Sequence, residues 1–206
     1  MLIVAGVNGA GKSTLYEVHP ELFSNTERIN ADEVLRQSGG DWRNPNDNFK
    51  AMKEVLVEIN TLIATKTSFH WETTLSGNFH SLEKLLKKAK EQGFEIILFY
   101  VRLGSAELAY ERVLRRVQKG GHGVPKEVVE KRFKRSLSNF KAIKDSGLID
   151  TVYSIHRAID KRAGLGPLVR LGLDSLLVDR KSWASEVIDE ELVSVYYRPE
   201  SGSVKS

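Results

Sequence analysis

The sequence contains no cysteine, which excludes disulfides, thiolate metal sites and cysteine nucleophiles together and fits a reducing, cytoplasmic setting. It also lacks any apolar run near the ~20 residues that a membrane-spanning helix needs. The first residues enter a strand-like segment without a basic leader or cleavage site. A soluble protein with no membrane partner is therefore expected. Charge of neither sign dominates, since 31 Lys and Arg stand against 27 Asp and Glu for a formal net charge of +4. Over 206 residues this excess is too mild to indicate a nucleic-acid surface. It suits a site for phosphorylated ligands, and no nucleic-acid partner is expected. The histidines His19, His70, His80, His122 and His156 show no pair at metal-ligand spacing on a helix, which argues against a protein-bound zinc site. What is present is a hydrophobic fraction of 41%, enough to build one packed domain.

The run Leu2-Ile-Val-Ala-Gly6 predicts a buried strand feeding a helix that begins at Lys12. Further strands are expected at Arg28-Ile-Asn30, from Ser68 to Glu72, and most clearly from Glu95 to Val101. Phe49, Met52, Val55, Leu56, Ile59 and Ile63 recur at steps of three and four, one face of a long helix with Leu56, Ile59 and Ile63 in the core. Phe79, Leu82, Leu85, Leu86 and Ala89 repeat this spacing until Gly93. A helix over 106–118 and another opening at Pro125 flank the glycine-rich segment Lys119-Gly-Gly-His-Gly-Val124. Val152 and Tyr153 predict a strand, Pro167 to Leu171 and Ser175 to Val178 a β pair, and Trp183 to Glu191 a closing helix. Strands alternating with helices imply an α/β fold of three layers, a parallel sheet covered by helices. Residues 1–189 are expected to form the domain, with a glycine-rich lid at about 112–135, and 190–206 a C-terminal tail.

Gly6-Val-Asn8-Gly9-Ala10-Gly11-Lys12-Ser13 fits the phosphate-loop pattern G-x-x-x-x-G-K-S/T at the strand-to-helix junction that the motif requires. Glycines let consecutive backbone N–H groups point at phosphate oxygens, and the following helix adds its positive end. Gly6, Asn8, Gly9, Ala10, Gly11, Lys12, Ser13 and Thr14 are thus the nucleotide-binding candidates, with ATP and Mg²⁺ as cofactors. Lys12 is expected on the β- and γ-phosphates and the Ser13 hydroxyl on Mg²⁺. The strongest apolar strand ends Tyr100-Val-Arg102 without the acid of a motor ATPase, and no Asn-Lys-x-Asp motif marks a GTPase. Two carboxylates stand instead at strand ends, where ligands bind in open α/β sheets: Asp32 and Glu72. Asp32 suits the proton acceptor of a hydroxyl kinase, or else caps a helix; Glu72 suits binding or support of Mg²⁺, or likewise a cap. Trp71, beside Glu72, is core, rim or pocket lining. Arg112, Arg116, Arg132 and Arg135 bracket the glycine-rich segment and its His122, and a lid carrying arginines would close over the transferred phosphoryl group.

These blocks, in this order, resemble the zeta-toxin-like family of P-loop kinases, whose known members phosphorylate UDP-N-acetylglucosamine. The likeness rests on Gly6 to Thr14, Ile29-Asn-Ala-Asp-Glu33, Glu72-Thr73-Thr74-Leu-Ser-Gly77, and Glu111-Arg-Val113 with Arg116 through Pro125 to Arg132 and Arg135-Ser136. Where that family commonly has a tyrosine, aspartate, asparagine, serine run, this chain has Tyr153-Ser-Ile-His-Arg157. The resemblance implies a P-loop kinase fold, Asp32 as base toward a sugar hydroxyl, Glu72, Thr73 and Thr74 facing the acceptor, catalytic roles for Lys12 and Arg116, and an antitoxin protein as partner. A kinase or ATPase acting on another small molecule or nucleotide, or a non-catalytic ATP-binding module, stands as the alternative.

Overall fold

The computed structural model describes residues 1–157, 185–188 and 191–197. In chain order its elements are β1 (Leu2–Ala5), α1 (Lys12–Val18), a 3₁₀ turn (Pro20–Phe23), β2 (Glu27–Asn30), α2 (Ala31–Gln37), α3 (Pro45–Thr65), β3 (Phe69–Thr73), α4 (Phe79–Glu91), β4 (Ile97–Leu103), α5 (Ala106–Gln118), α6 (Lys126–Asp145), β5 (Thr151–Arg157), β6 (Ser185–Ile188) and β7 (Glu191–Tyr197). The strands form one sheet in the order β2-β3-β1-β4-β5-β7-β6. The first five in that order run parallel, and β7 runs antiparallel to both of its neighbours. Helices flank this sheet, as expected of a P-loop α/β fold.

Side chains alternate across a strand, so each buried strand supplies two cores. Ile3, Phe69, Trp71, Leu98 and Tyr100 face one side, where Val55, Ile59, Leu82 and Leu86 of α3 and α4 cover them. Val4, Phe99, Val101 and Leu103 face the other, against Leu15, Ala109, Val113 and Val129 of α1, α5 and α6. The same alternation governs polar residues. Ile29 packs with Trp71 in the first core, so Arg28 and Asn30 emerge on the opposite face, in register with His70 and Glu72. That register brings the charged Arg28 and Glu72 next to α1.

Several expectations are corrected. Glu95 and Ile96 precede β4 because they are bonded to the chain end and to Asp150: the Met1 ammonium donates to Glu95 O at 2.8 Å and the Ile96 N–H to Asp150 Oδ2 at 2.8 Å. Leu56 is 41% exposed, outside the core, whereas Ile59 and Ile63 are fully buried. Of the readings open to Trp71 the core one holds, since it is buried in the first core. The helix expected from Trp183 to Glu191 is replaced over 185–188 by β6, and β7 follows within the segment 190–206. Glu191-Leu-Val-Ser-Val-Tyr-Tyr197 is rich in β-branched and aromatic residues, and its pairing gives β5 a neighbour where a bare parallel edge would leave unpaired amides. The β pair expected at Pro167 to Leu171 and Ser175 to Val178 lies outside the described residues. Among the described residues no helix is long and apolar enough to cross a membrane.

Candidate functional site

The phosphate loop leaves the end of β1 through backbone that only glycine tolerates. Gly6 has φ 149° and its N–H donates to Thr73 O at 3.2 Å; a Cβ there would stand 2.4 Å from Val101 O. Gly9 has φ 79°, and a Cβ would stand 2.5 Å from Ala109 O, so α5 packs directly on the loop. The Ala10 N–H closes the loop onto Val7 O at 3.0 Å, and Gly11 in left-handed conformation starts α1. Lys12 is buried; its Nζ donates to Gly6 O at 2.9 Å and to Val7 O at 3.4 Å, and lies 3.8 Å from Glu72 Oε1. Burial lowers its pKa from the ordinary lysine value, Glu72 and Asp32 oppose the shift, and Arg116 and Arg132 add to it. Ser13 is exposed and Thr14 half-buried on the first turn of α1.

Asn30 ends β2 and serves two neighbours at once. Its Oδ1 accepts the Asp32 N–H at 2.8 Å, capping α2, and its Nδ2 donates to Glu72 Oε2 at 2.9 Å. The cap of α2 is therefore Asn30, and Asp32 stands exposed in the first turn. Glu72 caps nothing either, since α4 is capped by Asn78 Oδ1, which accepts the Ser81 N–H at 3.1 Å. Burial raises the Glu72 pKa against the opposing pull of Lys12 and Arg28. Arg28 Nη2 lies 3.0 Å from Glu33 Oε1 and 3.8 Å from Glu72 Oε2, with its guanidinium 4.6 Å over the Tyr16 ring. The hydroxyls of Thr73 and Thr74 shape the turn after β3, the first accepting the Leu75 N–H at 3.1 Å and the second bonded to Ser76 Oγ at 2.8 Å. The Asp32 charge opposes the pKa shifts of Lys12, His122 and Arg132 and adds to that of Glu72.

The glycine-rich segment between α5 and α6 is held at both ends. Arg116 Nε donates to His122 O at 2.8 Å, while its Nη2 is buried with no hydrogen-bond partner among the described residues. The His122 ring packs on Trp42 with centroids 5.2 Å apart, and a Cβ on Gly123 would meet Trp42 Cη2 at 2.7 Å. Burial lowers the His122 pKa, with Asp32 opposing. Arg132 Nη1 donates to Asn8 Oδ1 at 2.9 Å, joining α6 to the phosphate loop. Arg112 lies against the loop, its Cβ 3.2 Å from where a Cβ on Gly9 would stand. Arg135 is exposed on α6 and is not among the charges acting on Lys12. The sequence by itself marks Asn30 and Arg28 only as strand residues and Trp42 only as core or rim. The period-2 alternation of β2 against β3 would have flagged the first two, whereas Trp42 meets the lid only through tertiary packing.

The chain is similar to known proteins in sequence and in fold. An uncharacterized protein of Haemophilus influenzae is 30% identical over 133 residues, 64% of this chain and 91% of its own length. Among solved structures, the PezAT chromosomal toxin-antitoxin system of Streptococcus pneumoniae superposes with TM-score 0.58 at 19% identity, over 76% of this chain and 68% of that one. AvrRxo1-ORF1:-ORF2 with ATP gives TM-score 0.58 at 14% identity, over 77% and 55%. The Pnkp1/Rnl/Hen1 RNA repair complex gives 0.56 at 22% identity, over 68% of this chain, which spans only 45% of the chain it matches. These likenesses share the fold. The model of the AAA domain matches residues 1–143, the stretch that carries the glycine loop, Asp32, Glu72 and the lid arginines, and the chain belongs to that family.

Proposed function

We propose that the protein is an ATP- and Mg²⁺-dependent kinase that transfers the γ-phosphoryl group to a hydroxyl of a small molecule. The observation that carries this reading is the gathering of Lys12, Arg116 and Arg132 around the phosphate loop, partly or wholly buried and mutually repulsive. Such cations are destabilising by themselves and are relieved by a polyanion. Lys12, released from the Gly6 carbonyl, would hold the β- and γ-phosphates, and the Arg116 and Arg132 guanidiniums would take the charge that spreads over the transferring oxygens. Asp32 would accept the proton of the attacking hydroxyl. The acceptor oxygen then forms its bond to phosphorus as the bridging bond breaks, and the electron pair leaves on ADP.

The donors present fit Mg²⁺. The Ser13 hydroxyl is a hard oxygen ligand on the first turn of α1, the Glu72 carboxylate near Lys12 would support the ion, and Mg²⁺ when bound would neutralise phosphate charge. The acceptor class implied by the zeta-toxin resemblance is a nucleotide sugar such as UDP-N-acetylglucosamine, and the implied partner is an antitoxin protein. Both follow from that resemblance alone.

The test is incubation with γ-labelled ATP, Mg²⁺ and a panel of sugar nucleotides, nucleosides and alcohols. Label is expected in one acceptor, and Lys12→Ala is expected to abolish transfer while the protein stays folded. Wild-type turnover in that variant, or ATP bound but never consumed, overturns the assignment; the second result identifies a non-catalytic ATP-binding module.

A further inference from the structure

The Asn8 side chain is not needed to shape the phosphate loop. Gly6, Gly9 and Gly11 supply the positive-φ backbone, and the loop closes through the Ala10 N–H on Val7 O. Nucleotide phosphates are met by backbone N–H groups in such loops, with no demand on this side chain. Yet Asn8 is buried, 8% exposed, and its Oδ1 accepts from Arg132 Nη1 at 2.9 Å across 124 residues of chain.

The chemistry of the acceptor is informative. A carboxylate at this position would bind the guanidinium more strongly, but it would cancel the positive charge and set a negative one inside the cradle. A neutral amide oxygen fixes the guanidinium through one N–H and leaves its charge available. Arg132 is half-buried and among the described residues forms no salt bridge; burial depresses its pKa and Asp32 alone opposes. Arg116 is held by the same device, its Nε on the carbonyl oxygen of His122 at 2.8 Å, with Nη2 buried and unpartnered among the described residues. Arg116 and Arg132 are thus each oriented by a neutral oxygen.

We propose that Asn8 is a positioning residue: its side-chain carbonyl oxygen preorganises Arg132 for the transferred phosphoryl group and ties the lid helix to the phosphate loop. The proposal rests on the kinase reading above. Asn8 acts through Arg132 and adds little to nucleotide affinity itself.

The test is a double-mutant cycle of Asn8→Ala and Arg132→Ala, read by calorimetry with Mg²⁺ and either ADP or ADP plus aluminium fluoride, a planar mimic of the transferring group. Asn8→Ala is expected to weaken the aluminium fluoride complex ~10-fold while leaving ADP within about twofold, and to have no further effect when Arg132 is already alanine. With an acceptor in hand, kcat falls ~10-fold and KM for ATP stays nearly constant. Asn8→Asp keeps an acceptor oxygen on Arg132 but cancels the guanidinium charge, so it is expected to weaken the aluminium fluoride complex at least as much as Asn8→Ala does, and to weaken ADP as well. If Asn8→Ala fails to fold, Asn8→Ser, whose hydroxyl is too short to reach Arg132, takes its place. Additive losses, or equal weakening of ADP and the complex by alanine, overturn the proposal. A wild-type protein that shows no preference for the aluminium fluoride complex overturns the kinase reading and this inference with it.

Discussion

Asp32 lies in the first turn of α2, where an acid favours the helix, but Asn30 already accepts its N–H at 2.8 Å. The carboxylate is therefore not required as a cap, and its charge acts on Lys12, His122 and Arg132. Asp32→Asn keeps the size and most of the helix-start propensity but loses the proton acceptor. If Asp32 is the base, kcat drops ~10²–10⁴-fold while the melting curve stays in place. Steady-state kinetics beside a thermal melt decides this, and a fully active variant would transfer the role to Glu72. The sequence placed both acids at strand ends. It did not show that one amide, Asn30, would cap the helix and hold Glu72 at 2.9 Å, since that contact depends on β2 and β3 pairing in register.

At the scale of elements, α3 carries two adjacent apolar stripes one residue apart. Ala51, Val55 and Ile59 step by four and end buried, whereas Phe49, Met52 and Leu56 are 60%, 48% and 41% exposed. Periodicity alone merged them, because neighbouring residues differ by only ~100° around a helix. Ile59→Ala is expected to cost ~2–5 kcal/mol of stability, as for a large-to-small change in a packed core, and Leu56→Ala less than about 1 kcal/mol. Urea unfolding of the two variants tests the orientation of α3, and equal losses would refute it. The lid offers a second test. A methyl group on Gly123 would stand 2.7 Å from Trp42 Cη2 and 3.0 Å from Val117 Cγ2, so Gly123→Ala has to displace the Trp42 ring. Trypsin should then cut faster at Lys119 or Lys126 than in the wild type, and Trp42→Ala should relieve the clash in the double variant. Unchanged cleavage would show that Trp42 does not clasp the lid.

For the whole molecule, His70 ties β3 to α1 and to the turn after it. Its ring lies 5.2 Å from Tyr16 and 4.9 Å from Phe23. The Thr26 hydroxyl donates to Phe23 O at 2.7 Å and so accepts from His70 Nδ1–H, also at 2.7 Å. Nε2 is left buried with no partner among the described residues. Protonation there would bury a charge, with Arg28 adding repulsion, and the pKa is pushed down to about 4. The unfolded chain takes up that proton near pH 6.5. Stability from neutral His70 is thus fully present above about pH 6.5, declines as pH falls because the unfolded state binds more protons, and stops declining below about pH 4. Between those limits the melting temperature of the wild type should fall more than that of His70→Phe. Parallel curves for the two proteins would show that His70 titrates normally in the fold.

The glycine loop, its lysine, the two strand-end acids and the boundaries of α5 (Ala106–Gln118) were legible from the sequence alone. Each depends on residues a few positions apart, through turn geometry, capping or hydrophobic period. The tertiary structure decided the rest: which stripe of α3 faces the sheet, that β6 and β7 extend it beyond β5, that Trp71 belongs to the core, and that Arg132 reaches Asn8 while Arg135 stays outside. Those outcomes turn on partners far along the chain, and a side chain's burial or charge pairing exists only once two distant segments have packed.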